Sequence, residues 1–232
     1  MRLNNNSLSV HSELDEAHIN NKWPLAREGL PFVLVGCILT VLLMYSGYLF
    51  VSIATGIVTF FIIFFFRDPD RRNNAVPGSI LTPADGTIIE IKHLDDRDNP
   101  LGKPTLKISV FMSLFNVHVN RFPVAGTVKK ITYQPGRFFR ANLDKASKFN
   151  ENNRITLKTD DSRTIMVIQI AGVIARRIAC WIKEGDRLDP GERFGLIRFG
   201  SRLEIYLPEG SRITAQPGQK VKAGETVIGY LP

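Results

Sequence analysis

Of the four histidines in the chain, one stands where chemistry would use it. His11 and His18 lie in a polar N-terminal segment, and His93 lies in an acidic loop with Asp95, Asp96 and Asp98. His118 sits in Val110-Phe111-Met112-Ser113-Leu114-Phe115-Asn116-Val117-His118-Val119-Asn120-Arg121-Phe122-Pro123, a strand-like stretch ending in a turn, with Asn116 and Asn120 on its own alternate face. An imidazole changes charge near neutral pH, yet a lone strand histidine is as a rule structural, so His118 needs a partner. The unusual feature elsewhere is Gly200-Ser201, inside the β-rich run Leu196-Ile197-Arg198-Phe199-Gly200-Ser201-Arg202-Leu203-Glu204-Ile205-Tyr206-Leu207-Pro208. Glycine weakens a strand and marks a bend or a close backbone approach, so the pair alone reads as a β-bulge. Cys37 and Cys180 are too few for a disulfide framework or a four-ligand zinc site.

The elements that must carry these residues fall into two textures. The 232 residues are 44% hydrophobic and 22% charged, which excludes a disordered or collagen-like chain. The net charge of +8 suits a partner bearing phosphates, either nucleic acid or anionic lipid. Residues 31–66 contain no Asp, Glu, Lys, Arg or His. As one helix they would extend roughly 54 Å, beyond a hydrocarbon core of about 30 Å, so two segments are expected with the break at Tyr45-Ser46-Gly47-Tyr48. Lys22 and Arg27 precede the run, Arg67, Arg71 and Arg72 follow it, and the central turn has no basic residue. The positive-inside rule then puts both ends in the cytoplasm. About 30 polar residues precede the run and no small-residue cleavage site closes it, which argues against a signal peptide. A membrane run also makes nucleic acid an unexpected partner.

From residue 67 onward, short β-rich runs alternate with Gly, Pro, Asn and Asp turns. Pro83-Ala84-Asp85-Gly86-Thr87-Ile88 recurs as Pro123-Val124-Ala125-Gly126-Thr127-Val128. Gly185-Asp186-Arg187-Leu188-Asp189-Pro190-Gly191-Glu192 recurs as Gly218-Gln219-Lys220-Val221-Lys222-Ala223-Gly224-Glu225. The expected fold is mostly β, a barrel-sandwich-like domain with internal pseudo-repeats, preceded by an N-terminal hydrophobic helical hairpin. The expected division is a polar segment 1–30, a membrane-anchoring hairpin 31–66 and a catalytic β domain 67–232. The second echo also occurs in biotinyl and lipoyl carriers, so a non-enzymatic, membrane-tethered carrier or adaptor is the alternative. A carrier needs a lysine at a hairpin tip, commonly beside methionine, and none of Met1, Met44, Met112 and Met166 adjoins a lysine.

Several blocks together resemble the phosphatidylserine decarboxylase proenzymes of the short bacterial and archaeal type. They are Phe199-Gly200-Ser201-Arg202, Thr82-Pro83-Ala84-Asp85-Gly86, Asn116-Val117-His118-Val119-Asn120-Arg121, Tyr133-Gln134-Pro135-Gly136-Arg137-Phe138 through Ala141, Lys145-Ala146-Ser147, Asn150-Glu151-Asn152-Asn153-Arg154, and Gln169-Ile170-Ala171-Gly172 with Ala175-Arg176-Arg177-Ile178. The similarity runs in order from about Trp23 to the C-terminus. The resemblance implies a proenzyme that cuts itself between Gly200 and Ser201 into chains 1–200 and 201–232, which stay associated, and converts Ser201 into a covalent pyruvoyl group, with no metal. It implies that the Ser201 hydroxyl attacks the Gly200 carbonyl, with His118 as base and Asp85 orienting it. It further implies decarboxylation of phosphatidylserine to phosphatidylethanolamine at the cell membrane, with the catalytic domain on the cytoplasmic face. Where longer members carry a second histidine three positions on, this chain has Arg121. Arg121, Arg137, Phe138, Arg140 and Lys145 are the expected lipid-contacting residues, because interleaved basic and aromatic side chains suit a phospholipid interface.

Overall fold

The computed structural model describes residues 16–96, 99–142, 144–173, 177–198 and 200–232. His11, Ala175, Arg176, Phe199 and the side chain of Lys145 lie outside the described residues. The chain divides into two compact units, Asn20–Asp70 and a second formed by Met1–Ile19 with Arg71–Pro232.

In the first unit, helix α1 (Leu30–Tyr45) and helix α2 (Leu49–Phe65) are joined at Gly47, whose φ of 82° is left-handed and suits a residue without Cβ. The seam between the helices is made of small and hydroxyl side chains. Thr40 Oγ1 donates to Thr55 Oγ1 at 3.2 Å, and a Cβ placed on Gly36 would stand 2.5 Å from Thr59 Oγ1. The large apolar side chains point outward, with Leu34 64%, Phe50 87% and Phe60 70% exposed. A water-soluble helix pair does the reverse, whereas small-residue seams with apolar exteriors suit lipid. The 19-residue helix Arg27–Tyr45 is long and apolar enough to cross a membrane, and Leu49–Phe65 is a shorter apolar helix. The ends of the hairpin are tied together, Ala26 N donating to Phe66 O at 2.7 Å and Asp68 N to Pro24 O at 2.8 Å.

The second unit is β-rich and open. Its main sheet has eight strands in the order β13 (Lys220–Val221), β2 (Gly86–Leu94), β3 (Thr105–Met112), β11 (Ser201–Pro208), β7 (Thr164–Ile170), β6 (Asn152–Lys158), β5 (Gly126–Gln134) and β9 (Arg187–Leu188). Two three-stranded sheets complete it: β1 (Ser79–Leu81) with β14 (Val227–Tyr230) and β12 (Arg212–Ile213), and β4 (Val119–Arg121) with β10 (Arg193–Ile197) and β8 (Ile178–Cys180). No sheet among the described residues closes into a barrel. One face of the main sheet and the smaller sheets enclose the principal core, which includes Ile88, Val110, Met112, Leu157, Leu203 and Ile205.

The two sequence echoes are one structural repeat. Strands β2 and β5 each begin at a glycine, and each has a register irregularity at the same place, between Ile88 and Glu90 and between Val128 and Lys130. Val128 N bonds Asp186 O at 2.8 Å, just as Ile88 N bonds Gln219 O at 2.9 Å. The two Pro-led turns clasp each other reciprocally, Leu81 N bonding Pro123 O and Arg121 N bonding Pro83 O, both at 2.9 Å. The approximate two-fold passes between the central strands β11 and β7.

Candidate active site

Strand β11 is held on both sides, by β3 with Ser201 opposite Met112 and by β7 with Arg202 opposite Ile170. Alternation sends Ser201, Leu203, Ile205 and Leu207 into the core and Arg202, Glu204 and Tyr206 to the other face. Ser201 is fully buried, and its Oγ has no hydrogen-bond partner among the described residues. An unbonded buried hydroxyl costs free energy, on the order of 1–3 kcal/mol, and such a group is a signature of a functional site. Gly200 has a φ of 52°, a left-handed conformation that a side chain disfavours. Its carbonyl oxygen lies so close to Gly172 that a Cβ there would stand 1.9 Å away.

His118, immediately before β4, is also fully buried. Its Nε2 lies 3.1 Å from the Ser113 carbonyl. A carbonyl only accepts, so Nε2 carries the proton and Nδ1 is the basic nitrogen of the neutral ring. The Ser113 turn is fixed by Asn116 Oδ1, which accepts from Ser113 N at 2.8 Å and from Ser113 Oγ at 2.7 Å. Two clamps bring His118 and the Gly200-Ser201 bond together. Ile197 N bonds the His118 carbonyl at 3.4 Å, and Ser201 pairs with Met112, the neighbour of Ser113. The turn before β4 is thus tied to the end of β10 on one side and to the start of β11 on the other.

The carboxylate of Asp85, the expected orienter of His118, is held by Arg71 and by the second repeat. Its Oδ2 accepts from Arg71 Nη2 at 2.9 Å and its Oδ1 from Ala223 N at 2.7 Å. His118 Nε2 donates to the Ser113 carbonyl. Asp85 locks the Pro83–Gly86 turn against the second repeat, and that turn in turn holds β4 through Arg121 N and Pro83 O. Arg121 is buried, and its Nη1 donates to Gly191 O at 3.0 Å. Arg137 and Arg140 are exposed, while Phe138 packs against the core. Their loop is stapled by buried Asn150, whose Nδ2 donates to Phe139 O at 2.8 Å and Ala171 O at 2.7 Å, next to Gly172.

On the opposite face of β11, Arg202 Nη2 donates to Glu90 Oε2 at 3.1 Å and Ser109 Oγ at 2.9 Å. Lys107 Nζ reaches Glu90 at 2.6 Å. Glu204 accepts from Ser147 Oγ of helix α3 (Asp144–Phe149) at 2.7 Å and from Tyr206 Oη at 2.8 Å. Burial works against ionised Glu90, but Lys107, Arg202 and Ser109 prevail and hold its carboxyl below its ordinary value. Burial, followed by the charge of Glu204, pushes the Tyr206 hydroxyl well up.

Sequence reasoning marked Ser201, Gly200 and His118, while Ser113, five residues before His118, carried no signal because any residue offers a turn carbonyl, and Arg71 carried none because only the fold brings it to Asp85. Gly172 fell within a quoted block, but its role depends on which backbone meets it. Among the described residues no group of three or more His, Cys, Asp or Glu is placed to hold a metal ion.

Residues 58–229 match the family model described as phosphatidylserine decarboxylase. A phosphatidylserine decarboxylase proenzyme of Syntrophus aciditrophicus (strain SB) is 48% identical over 206 residues, covering 88% of this chain and 96% of the relative. A proenzyme of the same name from Desulfotalea psychrophila is 44% identical over 208 residues, 90% of this chain and 97% of the relative. One from Geotalea uraniireducens is 42% identical over 213 residues, 92% and 99% respectively.

Proposed function

The chain belongs to the phosphatidylserine decarboxylase family, and on that premise we propose that it is the uncut form of a pyruvoyl-dependent enzyme that converts phosphatidylserine to phosphatidylethanolamine and carbon dioxide. The observation that carries the self-processing step is the buried Ser201 hydroxyl, without a hydrogen-bond partner among the described residues, behind a left-handed Gly200. The residues fit a pyruvoyl group formed from position 201. The site is enclosed by Met112 and Ala171, which exclude water, and Gly172 leaves room for the carbonyl that must be attacked.

His118 Nδ1 takes the Ser201 Oγ proton and Oγ adds to the Gly200 carbonyl carbon. The Gly200–Ser201 C–N bond breaks, the Ser201 nitrogen takes up a proton, and Gly200 becomes an ester on Oγ. Removal of the residue 201 α-proton expels the Gly200 carboxylate, and water then releases the nitrogen as ammonia to leave the pyruvoyl carbonyl. That group supplies an electron sink for an amine substrate, which no ordinary side chain offers. His118, once Nδ1 has taken up a fresh proton from water, is the general acid that protonates the substrate carbon in this reading. The Ser113 carbonyl keeps the ring in the required tautomer, and Asp85 with Arg71 keeps the supporting turn in place.

The lipid enters at a surface with exposed Phe115, Phe149 and Val173 and with exposed Arg137, Arg140 and Lys148. Phe115 belongs to the His118 turn and Val173 follows Gly172, so apolar and cationic groups border the site. Asn20–Asp70 serves as the membrane anchor, with both ends on the cytoplasmic face. Denaturing gels and intact mass of the purified protein should give chains of residues 1–200 and 201–232, the smaller with a blocked, ketone-bearing N-terminus. Ser201→Ala should remain a single inactive chain. Carbon dioxide should be released from phosphatidylserine in liposomes, with little from free serine, and hydroxylamine should abolish it. Normal two-chain processing of Ser201→Ala would overturn the assignment.

A further inference from the structure

Three buried side-chain amides stand in line behind the site, and the processing chemistry above uses none of them. Asn153 Nδ2 donates to Gln169 Oε1 at 3.0 Å, Gln169 Nε2 donates to Asn120 Oδ1 at 2.8 Å, and Asn120 Nδ2 ends on the sulfur of Met112 at 3.7 Å. All three are buried, Gln169 and Asn120 completely. The direction of the chain is fixed. Reversing Asn120 alone sets an NH₂ against the Gln169 NH₂, and reversing the whole line sets a carbonyl oxygen against a thioether lone pair. The end nearest the site therefore presents a donor, and that donor is spent on sulfur, a weak acceptor. Met112 is the residue paired with Ser201, whose Oγ is itself without a hydrogen bond among the described residues. A poorly used donor, from β4 of the neighbouring sheet, and an unused hydroxyl, across the strand pair, thus both meet Met112, each costing free energy that their union would recover.

We propose that Asn120 is a positioning residue for self-cleavage: its amide moves from the Met112 sulfur to the Ser201 oxygen, which turns the hydroxyl proton toward His118. The inference rests on the self-processing reading above and names the group that aims the nucleophile. Asn153 and Gln169 act through Asn120, holding its carbonyl end so that its NH₂ faces the strand pair. Nothing is consumed; one N–H···S contact is exchanged for one N–H···O bond before the hydroxyl proton is transferred.

The test follows the cut of full-length protein over time on denaturing gels, for wild type, Asn120→Leu and Asn120→Asp. Unfolding temperatures are measured in a Ser201→Ala background, so that cutting does not enter the comparison. Asn120→Leu should fold and cut about a hundred-fold more slowly at every pH, as for loss of one aimed donor. The ratio of the Asn120→Asp rate to the wild-type rate should rise as pH falls from about 8 to about 6, because a protonated carboxyl both accepts from Gln169 and donates O–H. Both proteins carry His118, so the ratio isolates position 120. A merely structural Asn120 would leave that ratio flat. Asn120→Leu cutting at the wild-type rate, or a flat ratio of Asn120→Asp to wild type, would overturn the proposal. If Asn120→Leu does not fold, the pH trend of that ratio decides. Wild-type protein that stays uncut overturns the self-processing reading itself; wild type that cuts alongside unaffected Asn120 variants overturns the role of Asn120 alone.

Discussion

At the scale of single residues, the Gly200 carbonyl rests against a position where a side chain could not stand without displacing it. Gly172 lacks the Cβ that would stand 1.9 Å from Gly200 O, so Gly172→Ala must push the carbonyl away from the Ser201 hydroxyl or move strand β7. Cutting should slow by about a hundred-fold or more, since misplacement on the order of 1 Å costs that much. Overpacking should also cost about 1–3 kcal/mol of stability. A pulse-chase gel and a thermal melt of the same variant measure both, and wild-type cutting would show that the contact is incidental. Glu90 is a second residue with a measurable consequence. Its folded carboxyl lies below its ordinary value, so it adds stability above the unfolded pKa of about 4.3 and loses it as pH falls through the folded value. Glu90→Gln should therefore flatten the acid limb of an unfolding-temperature profile, relative to wild type, while leaving the dependence near neutral pH unchanged.

At the scale of elements, β11 is placed so that a cut at its first residue cannot release it. It pairs with β3 from Ser201 to Pro208 and with β7 from Arg202 to Tyr206, and Arg202 just past the cut joins Glu90 and Ser109 across the strands. Residues 201–232 also supply β13, which pairs with β2, and β14, which pairs with β1. The two chains should therefore coelute on gel filtration after cutting and separate only in denaturant; dissociation in native buffer would contradict this placement. The helical hairpin is held by its narrow seam. Gly36→Leu inserts a side chain where a Cβ alone meets Thr59 Oγ1 at 2.5 Å, so α1 and α2 must separate. The unfolding temperature of the hairpin in detergent should fall, by about 1–3 kcal/mol of stability, while β-unit processing continues. An unchanged melt would mean that the seam is not the stabilising contact.

At the scale of the whole molecule, the β unit is one motif used twice, and only one copy has a serine at the start of its central strand. Phe111 opposite Thr87 and Arg202 in one half corresponds to Lys158 opposite Thr127 and Thr164 in the other, so Ser201 and the turn ending at Arg163 occupy equivalent places. The duplicated turns were legible in the sequence because turn geometry depends on local residues: Gly185 and Gly218, with φ of 94° and 87°, need glycine wherever the rest of the chain goes. The same locality made the hairpin readable, since 36 uncharged residues with a glycine between two tyrosines leave little other choice of break. It also made Gly200-Ser201 and His118 stand out, because each is unusual within its own strand. What orients them is not local. Arg71 takes the Asp85 carboxylate, the Ile197 amide bonds the His118 carbonyl, and Gly172 receives the Gly200 carbonyl, meetings that no spacing rule encodes. By itself the sequence determined which residues are chemically odd and where the chain must turn, since both depend on neighbours a few positions away. Only the tertiary structure decided which partner each odd residue meets, because hydrogen bonds and close contacts between strands depend on register, and register is set by the packing of the whole sheet.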